Sequence, residues 1–130
     1  MNDSNAAMYT LALQEMSLQA GQQVLEIGFG NGHFFEKIRN QAPNLQVAGL
    51  DFSAEMVQAA SETNAAAIKS GALTLHFGSS DALPFADASF DKVFCINVVY
   101  FWENPADHLR EIKRVLKPGG RFYTVIRPKE

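Results

Sequence analysis

Nine residues, Val24-Leu25-Glu26-Ile27-Gly28-Phe29-Gly30-Asn31-Gly32, constrain this chain more than any others. An apolar run closes on Glu26 and Ile27, and three glycines follow at every second position. The next stretch, 33–40, reads as a helix with Phe34, Phe35 and Ile38 on its apolar face. A strand that passes through a glycine loop into a helix brings bare backbone against a small ligand at the carboxyl end of an open α/β sheet. The spacing is G-x-G-x-G. A dinucleotide loop has G-x-G-x-x-G, and its third glycine falls here on His33. Glu26 is a second objection to a dinucleotide. A pyrophosphate is repelled by a carboxylate just before the loop, whereas an ammonium group is attracted.

The rest of the chain alternates strand and helix signals. Asp3 or Ser4 is expected to cap a first helix reaching about Leu18, with Met8, Leu11, Ala12 and Met16 on one face. Val24 to Ile27 is the first strand, apolar on both sides as a buried parallel strand should be. Leu45 to Leu50 is the second, ending at Asp51. Ser53 caps a long helix, 54–70, with Met56, Ala59, Ala60, Asn64 and Ile68 at helical spacing. Leu73 to Phe77 is the third strand, followed by a long loop, 78–89. Asp91 to Ile96 is the fourth, followed by an aromatic-rich loop, 97–103. Asn104-Pro105 opens a helix reaching about Leu116, with Leu109, Ile112, Val115 and Leu116 inward. Lys117 to Gly120 is a tight turn, and Arg121 to Ile126 a fifth strand. This succession predicts an α/β fold with a Rossmann-like, doubly wound parallel sheet and right-handed crossovers.

Composition narrows the function. At 130 residues the chain is expected to form a single domain, 1–130. Hydrophobic content of 47% and charged content of 19% fit a soluble globular protein. The net charge of −3 and the lack of a Lys/Arg run disfavour nucleic-acid binding. The single cysteine, Cys95, excludes a disulfide framework or a cysteine metal cluster within one chain and fits a reducing cytoplasm. No apolar run is long enough for a membrane span, and the N-terminus lacks a secretory signal, so a cytoplasmic location is expected. His33, His76 and His108 lack metal-ligand spacing. No metal site, H-E-x-x-H pair or Ser-His-Asp triad is identifiable.

Asp51 lies 25 residues beyond Glu26, at the end of the neighbouring strand. A carboxylate there accepts hydrogen bonds from ribose hydroxyls. A ribose joined to a cationic, amino-acid-like group describes S-adenosylmethionine better than NAD.

At residues 20–127 the chain resembles the class I S-adenosylmethionine-dependent methyltransferases. The resemblance rests on VLEIGFGNG (24–32), VAGLDFSAEMVQAA (47–60), LPFADASFDKVFCINVVYFWENP (83–105) and LKPGGRFY (116–123), in that order. The LPF…SFD and LKPGG pair is most similar to small-molecule enzymes of the ubiquinone/menaquinone-biosynthesis type. The resemblance implies methyl transfer from S-adenosylmethionine to a small-molecule acceptor. It implies that Gly28, Gly30 and Gly32 admit the methionine part and ribose, that Glu26 supports the loop and the methionine ammonium, and that Asp51 holds the ribose. Phe52 and Met56 would pack on adenine, Asn97 would lie under the methionine moiety, and Tyr100 and Trp102 would face the acceptor. No catalytic residue is identifiable; the sulfonium carries the activation, and no general base is required if the acceptor ionises easily.

Two departures stand out. The family pattern has an acid directly after the glycine matching Gly78, to accept from adenine. Here that position is Ser79, followed by Ser80, with Asp81 one further on. Either Ser79 substitutes, or Asp81 reaches in, or adenine is held less tightly. The family also implies strand order 3-2-1-4-5 with two further strands after the fifth, whereas this sequence ends at Glu130. A truncated fold leaves an apolar edge at 121–126, a pairing liability. It is expected to be covered by a second copy in a homodimer or by residues of a longer protein. The alternative functions are a cofactor-binding module inactive without a partner chain and, less favoured, an NAD-binding enzyme. Light scattering tests the homodimer, which predicts twice the chain mass; a strictly monomeric particle contradicts it.

Overall fold

The computed structural model describes residues 2–96 and 102–126. Helix α1 (Asn2–Met16) precedes strand β1 (Gln23–Ile27), and α2 (Phe35–Arg39) leads to β2 (Gln46–Asp51). Helices α3 (Ala54–Thr63) and α4 (Ala65–Lys69) lead to β3 (Leu73–Phe77). Strand β4 (Phe90–Ile96), helix α5 (Pro105–Val115) and strand β5 (Leu116–Val125) complete the fold. The five strands form one sheet in the order β3-β2-β1-β4-β5, every neighbouring pair parallel. The expected α/β class and strand order are both found.

Side chains alternate across the buried strands, as the pleat requires. Val24, Val47, Phe94 and Ile96 face one core with Met8, Ala12 and Met16 of α1, Phe35 and Ile38 of α2, and Ala60 of α3. Leu25, Ile27, Leu50, Val93 and Cys95 face the other, with Ile112 and Val115 of α5. The inner strands β1, β2 and β4 are therefore buried on both faces over most of their length, which is why they read as apolar runs. The functional consequence is that β1, β2 and β4 can present ligand groups only from their ends.

Several boundaries differ from the sequence reading, each for a local reason. Helix α1 already includes Asn2, ahead of the expected cap, and its buried face is Met8, Tyr9, Ala12, Leu13 and Met16; Leu11 is half exposed. The segment after the glycines turns helical only at Phe35, because Asn31 Oδ1 accepts the His33 N–H (3.0 Å) and holds a turn there. The helix expected over 54–70 breaks at Asn64, whose amide nitrogen donates to Ala60 O (2.9 Å) and Gly32 O (3.1 Å). A side chain bonded to nearby carbonyls competes with helical continuation. In α5 the inward residues are His108, Ile112 and Val115, and Leu109 is turned outward at 45% exposure. Strand β5 starts at Leu116, which pairs with Phe90; pairing resumes at Arg121 opposite Lys92. Lys117 to Gly120 therefore bulge out, with Gly119 at φ +83°, which preserves the turn expected there.

The 78–89 connection carries no helix and is fastened to α5 instead. Arg114 donates to Leu83 O (2.9 Å), Phe85 O (2.8 Å), Asp87 (2.8 Å) and Glu111 (2.8 Å), and Glu111 accepts the Leu83 N–H (2.8 Å). These bonds hold Glu111 below the usual carboxylate range.

Gly28, Gly30 and Gly32 all have positive φ, at 78°, 65° and 74°. Gly32 has a packing reason as well: a Cβ there would lie 2.6 Å from the Ala60 Cβ and 2.9 Å from Asn64 Nδ2. Gly32→Ala combines left-handed strain with overpacking. It should lower unfolding free energy by about 2–4 kcal/mol in urea titrations. A loss below about 0.5 kcal/mol, the range of ordinary surface substitutions, would show that the loop does not press on α3 as described.

Candidate functional site

A cavity of about 330 Å³ opens at the carboxyl ends of β1, β2 and β3, where open α/β sheets bind their ligands. Among the described residues its floor is Ile27, Gly28, Leu50 and Asp51. Phe52 and the 78–81 turn form one side, and Trp102, Glu103, Asn104 and His108 the other. Of the expected site residues, Gly28, Asp51, Phe52, Ser79, Ser80 and Trp102 meet on this cavity. Glu26, Gly30, Gly32 and Met56 stand outside its lining. Asn97 and Tyr100 lie outside the described residues.

Asp51 ends β2 and is 5% exposed. Its Oδ2 accepts the Gly30 N–H (2.9 Å) and its Oδ1 accepts the Ser53 N–H (3.0 Å). Gly28 N–H donates across to Leu50 O (2.7 Å), which closes the glycine loop onto β2. A carboxylate has about four acceptor positions, so both Asp51 oxygens retain capacity toward the cavity. Ser53 caps α3 by accepting the Met56 N–H (3.3 Å), which fixes the turn on which Phe52 sits. The Phe52 ring is 71% exposed, an unusual state for a large apolar side chain and a ready flat surface for a ligand ring. Gly78 N–H is tied to Asp51 O (3.0 Å), so the 78–81 turn is registered against β2. Ser79 and Asp81 are exposed on the cavity wall, and Ser80 is buried.

Glu26 is 1% exposed and points into the core beneath α1, where Tyr9 donates its hydroxyl to Glu26 Oε2. Tyr9 is itself clamped by Phe34, stacked at 4.1 Å, and by the edge of Phe94 at 6.2 Å. Burial pushes the Glu26 carboxyl up to about 8, opposed by the Tyr9 hydrogen bond and assisted by the nearby Asp51 charge. Burial, more than the Glu26 charge, raises the Tyr9 phenol well above its ordinary value. Glu26 thus supports the glycine strand from inside the protein.

Two residues here, Tyr9 and His108, are not among the site residues expected from the sequence. Tyr9 is in register with the buried residues Leu13 and Met16, whereas Leu11, expected on the buried face, is half exposed. His108 is in register with Ile112 and Val115, a spacing that placed it inward. Among the described residues no group of three or more His, Cys, Asp or Glu could hold a metal, and no helix is long and apolar enough to cross a membrane.

The Glu26 proton gives a pH signature. Between about pH 4.5 and 8 the folded chain keeps a proton that the unfolded chain has lost. The resulting stability is complete below that window and declines as pH rises through it, at up to about 1.4 kcal/mol per pH unit. In denaturant titrations at pH 5.5 and 7.5, wild type should lose stability relative to Glu26→Gln. Parallel profiles for the two chains would contradict a protonated Glu26.

Comparison with known proteins agrees with this geometry. Residues 25–124 match the methyltransferase domain family. The demethylmenaquinone methyltransferase of Deinococcus radiodurans is 36% identical over 118 residues, covering 85% of this chain and 45% of that enzyme. An uncharacterized methyltransferase of Bacillus subtilis, YdaC, is 26% identical over all 130 residues, which is 70% of its length. A Methanococcus maripaludis protein assigned to the S-adenosyl-L-methionine-dependent methyltransferases superposes with a TM-score of 0.79 at 27% identity. The match covers 90% of this chain and 52% of that one. The chain spans about half the length of most of the curated relatives it matches. It belongs to the methyltransferase domain family, in the class I form whose cofactor is S-adenosylmethionine.

Proposed function

We propose that the cavity at the ends of β1, β2 and β3 is the S-adenosylmethionine site of a methyltransferase acting on a small molecule. The observation that carries this reading is Asp51: a buried carboxylate, oriented by two backbone N–H groups, with acceptor capacity left on the cavity wall. That is the donor–acceptor match for a ribose diol. The residues around it suit the rest of the cofactor. Gly28 leaves the floor without a side chain, and Phe52 offers an exposed ring for adenine. Ser79 or Asp81 can accept from an adenine amino group, and both face the same space.

When bound, S-adenosylmethionine supplies a methyl group on a positively charged sulfur, activated for in-line displacement. The protein's part is to bind, orient and exclude water. Asp51 and the glycine loop fix one end of the ligand. Glu26, held by Tyr9, keeps the strand beneath the loop in place from the core side and makes no contact with the cavity. Trp102 gives an aromatic face at the cavity's outer wall. In this reading Asn97 and Tyr100 complete the methionine and acceptor sides.

A small-molecule acceptor is supported by the likeness to the quinone-type methyltransferases and by the absence of a Lys/Arg run in the sequence. The half-exposed edge strand β5, with Ile126 at 41% exposure beside it, supports pairing with a second copy or with residues of a longer protein.

Calorimetric titration with S-adenosylhomocysteine tests the assignment. Wild type should bind, and Asp51→Ala should weaken binding by at least about tenfold, the cost of losing a charged hydrogen-bonding partner. Unchanged affinity would remove Asp51 from the site. Binding of NAD in place of S-adenosylhomocysteine would overturn the reading as a whole.

A further inference from the structure

We infer that His108 is the positioning residue of the cavity's outer wall, and that the tightness of cofactor binding depends on it. The inference rests on the cofactor reading above. His108 belongs to α5, and Ile112 and Val115, one and two turns on, anchor that helix in the core. Its imidazole meets two segments that carry no regular structure. Nδ1 lies 2.6 Å from Ser80 Oγ, in a contact where both residues are buried. Its ring stacks on the Trp102 indole at 4.5 Å between centroids and 7° between planes. Ser80, Trp102 and His108 all line the cavity.

One side chain thereby carries the position of the sheet, through α5, to both walls. An aliphatic residue could fill the space and fix neither wall. A phenyl ring could keep the stack and would leave the Ser80 hydroxyl buried without its partner, which is costly. Backbone bonds hold the 78–81 turn at its two ends. Gly78 N–H bonds Asp51 O and Ala82 N–H bonds Ser79 O, and neither bond restrains the Ser80 side chain. Freed from His108, the turn can move Ser79 and Asp81 relative to Asp51, and Trp102 loses the ring on which its indole stacks. Ser79, Ser80 and Asp81 all line the cavity, and the buried Ser80 hydroxyl is the one held by His108.

Trp102 is the only tryptophan in the chain, so its fluorescence reports this wall alone. The test titrates S-adenosylhomocysteine by calorimetry into wild type, Ser80→Ala, His108→Phe and the double variant, with Trp102 emission recorded for each and for His108→Ala. Each single variant should weaken binding about three- to tenfold, the range for one hydrogen bond. The double variant should be no weaker than the poorer single variant, because the two residues share one interaction. His108→Ala, which also removes the stack, should red-shift Trp102 emission, whereas Ser80→Ala should leave it unchanged. If the His108 variants do not fold, Ser80→Ala alone decides, since it removes a single oxygen. A wild-type chain that binds while Ser80→Ala and His108→Phe match it within twofold overturns the inference and leaves the cofactor reading standing. Fully additive losses also overturn it. A wild-type chain that does not bind overturns the cofactor reading and this inference with it.

Discussion

Asp51 is the point at which the sheet, the glycine loop and helix α3 are joined. It lies at the last position of β2, so the register of the parallel sheet sets where its carboxylate stands. One oxygen takes the Gly30 N–H from the loop after β1, and the other takes the Ser53 N–H at the start of α3. Its own carbonyl takes the Gly78 N–H from the turn after β3. Three separate connections therefore depend on one residue for their relative positions. A buried carboxylate is stable only when bonded, and these bonds are what allow it to remain at the cavity wall.

The two acids of the glycine region show how one fold gives the same functional group different tasks. Asp51 stands at a strand end with backbone donors around it. Glu26 stands one position before the last residue of β1, on the core-facing side, with a phenol as its partner. Burial favours its neutral form, and the aromatic clamp of Phe34 and Phe94 keeps the partner in place. The helix that carries Tyr9 is thereby linked to the strand that carries the glycines. In the proposed reading, the interior acid sets the loop and the wall acid meets the ligand.

The inner strands are legible because they are buried on both sides and end in turn chemistry, as at 24–27, 45–50 and 91–96, while the edge strand at 73–77 is marked by its alternation and the glycines that flank it. Helix limits were less legible where a polar side chain competes with the backbone. Asn64 splits one helix and Asn31 delays another, and neither effect has a periodic signature. Of the candidate site, the strand-end residues Gly28, Asp51 and Phe52 could be read directly, since topology places strand ends together. His108 could not be assigned by spacing rules for metals or triads. Its importance comes from Ser80, 28 residues earlier, and from a stacked indole, a juxtaposition made by the tertiary fold. Tyr9 is hard to read for a similar reason: a helix with apolar residues on more than one side does not declare which face is buried, and the Tyr9–Glu26 hydrogen bond lies on the face that is.

The most direct measurement is a crystal structure of this chain grown with S-adenosylhomocysteine. The account predicts density in the cavity at the ends of β1, β2 and β3, with the ribose hydroxyls on Asp51, the adenine against Phe52 and the far wall formed by Trp102. Ligand density elsewhere, or a ribose that makes no contact with Asp51, would contradict it.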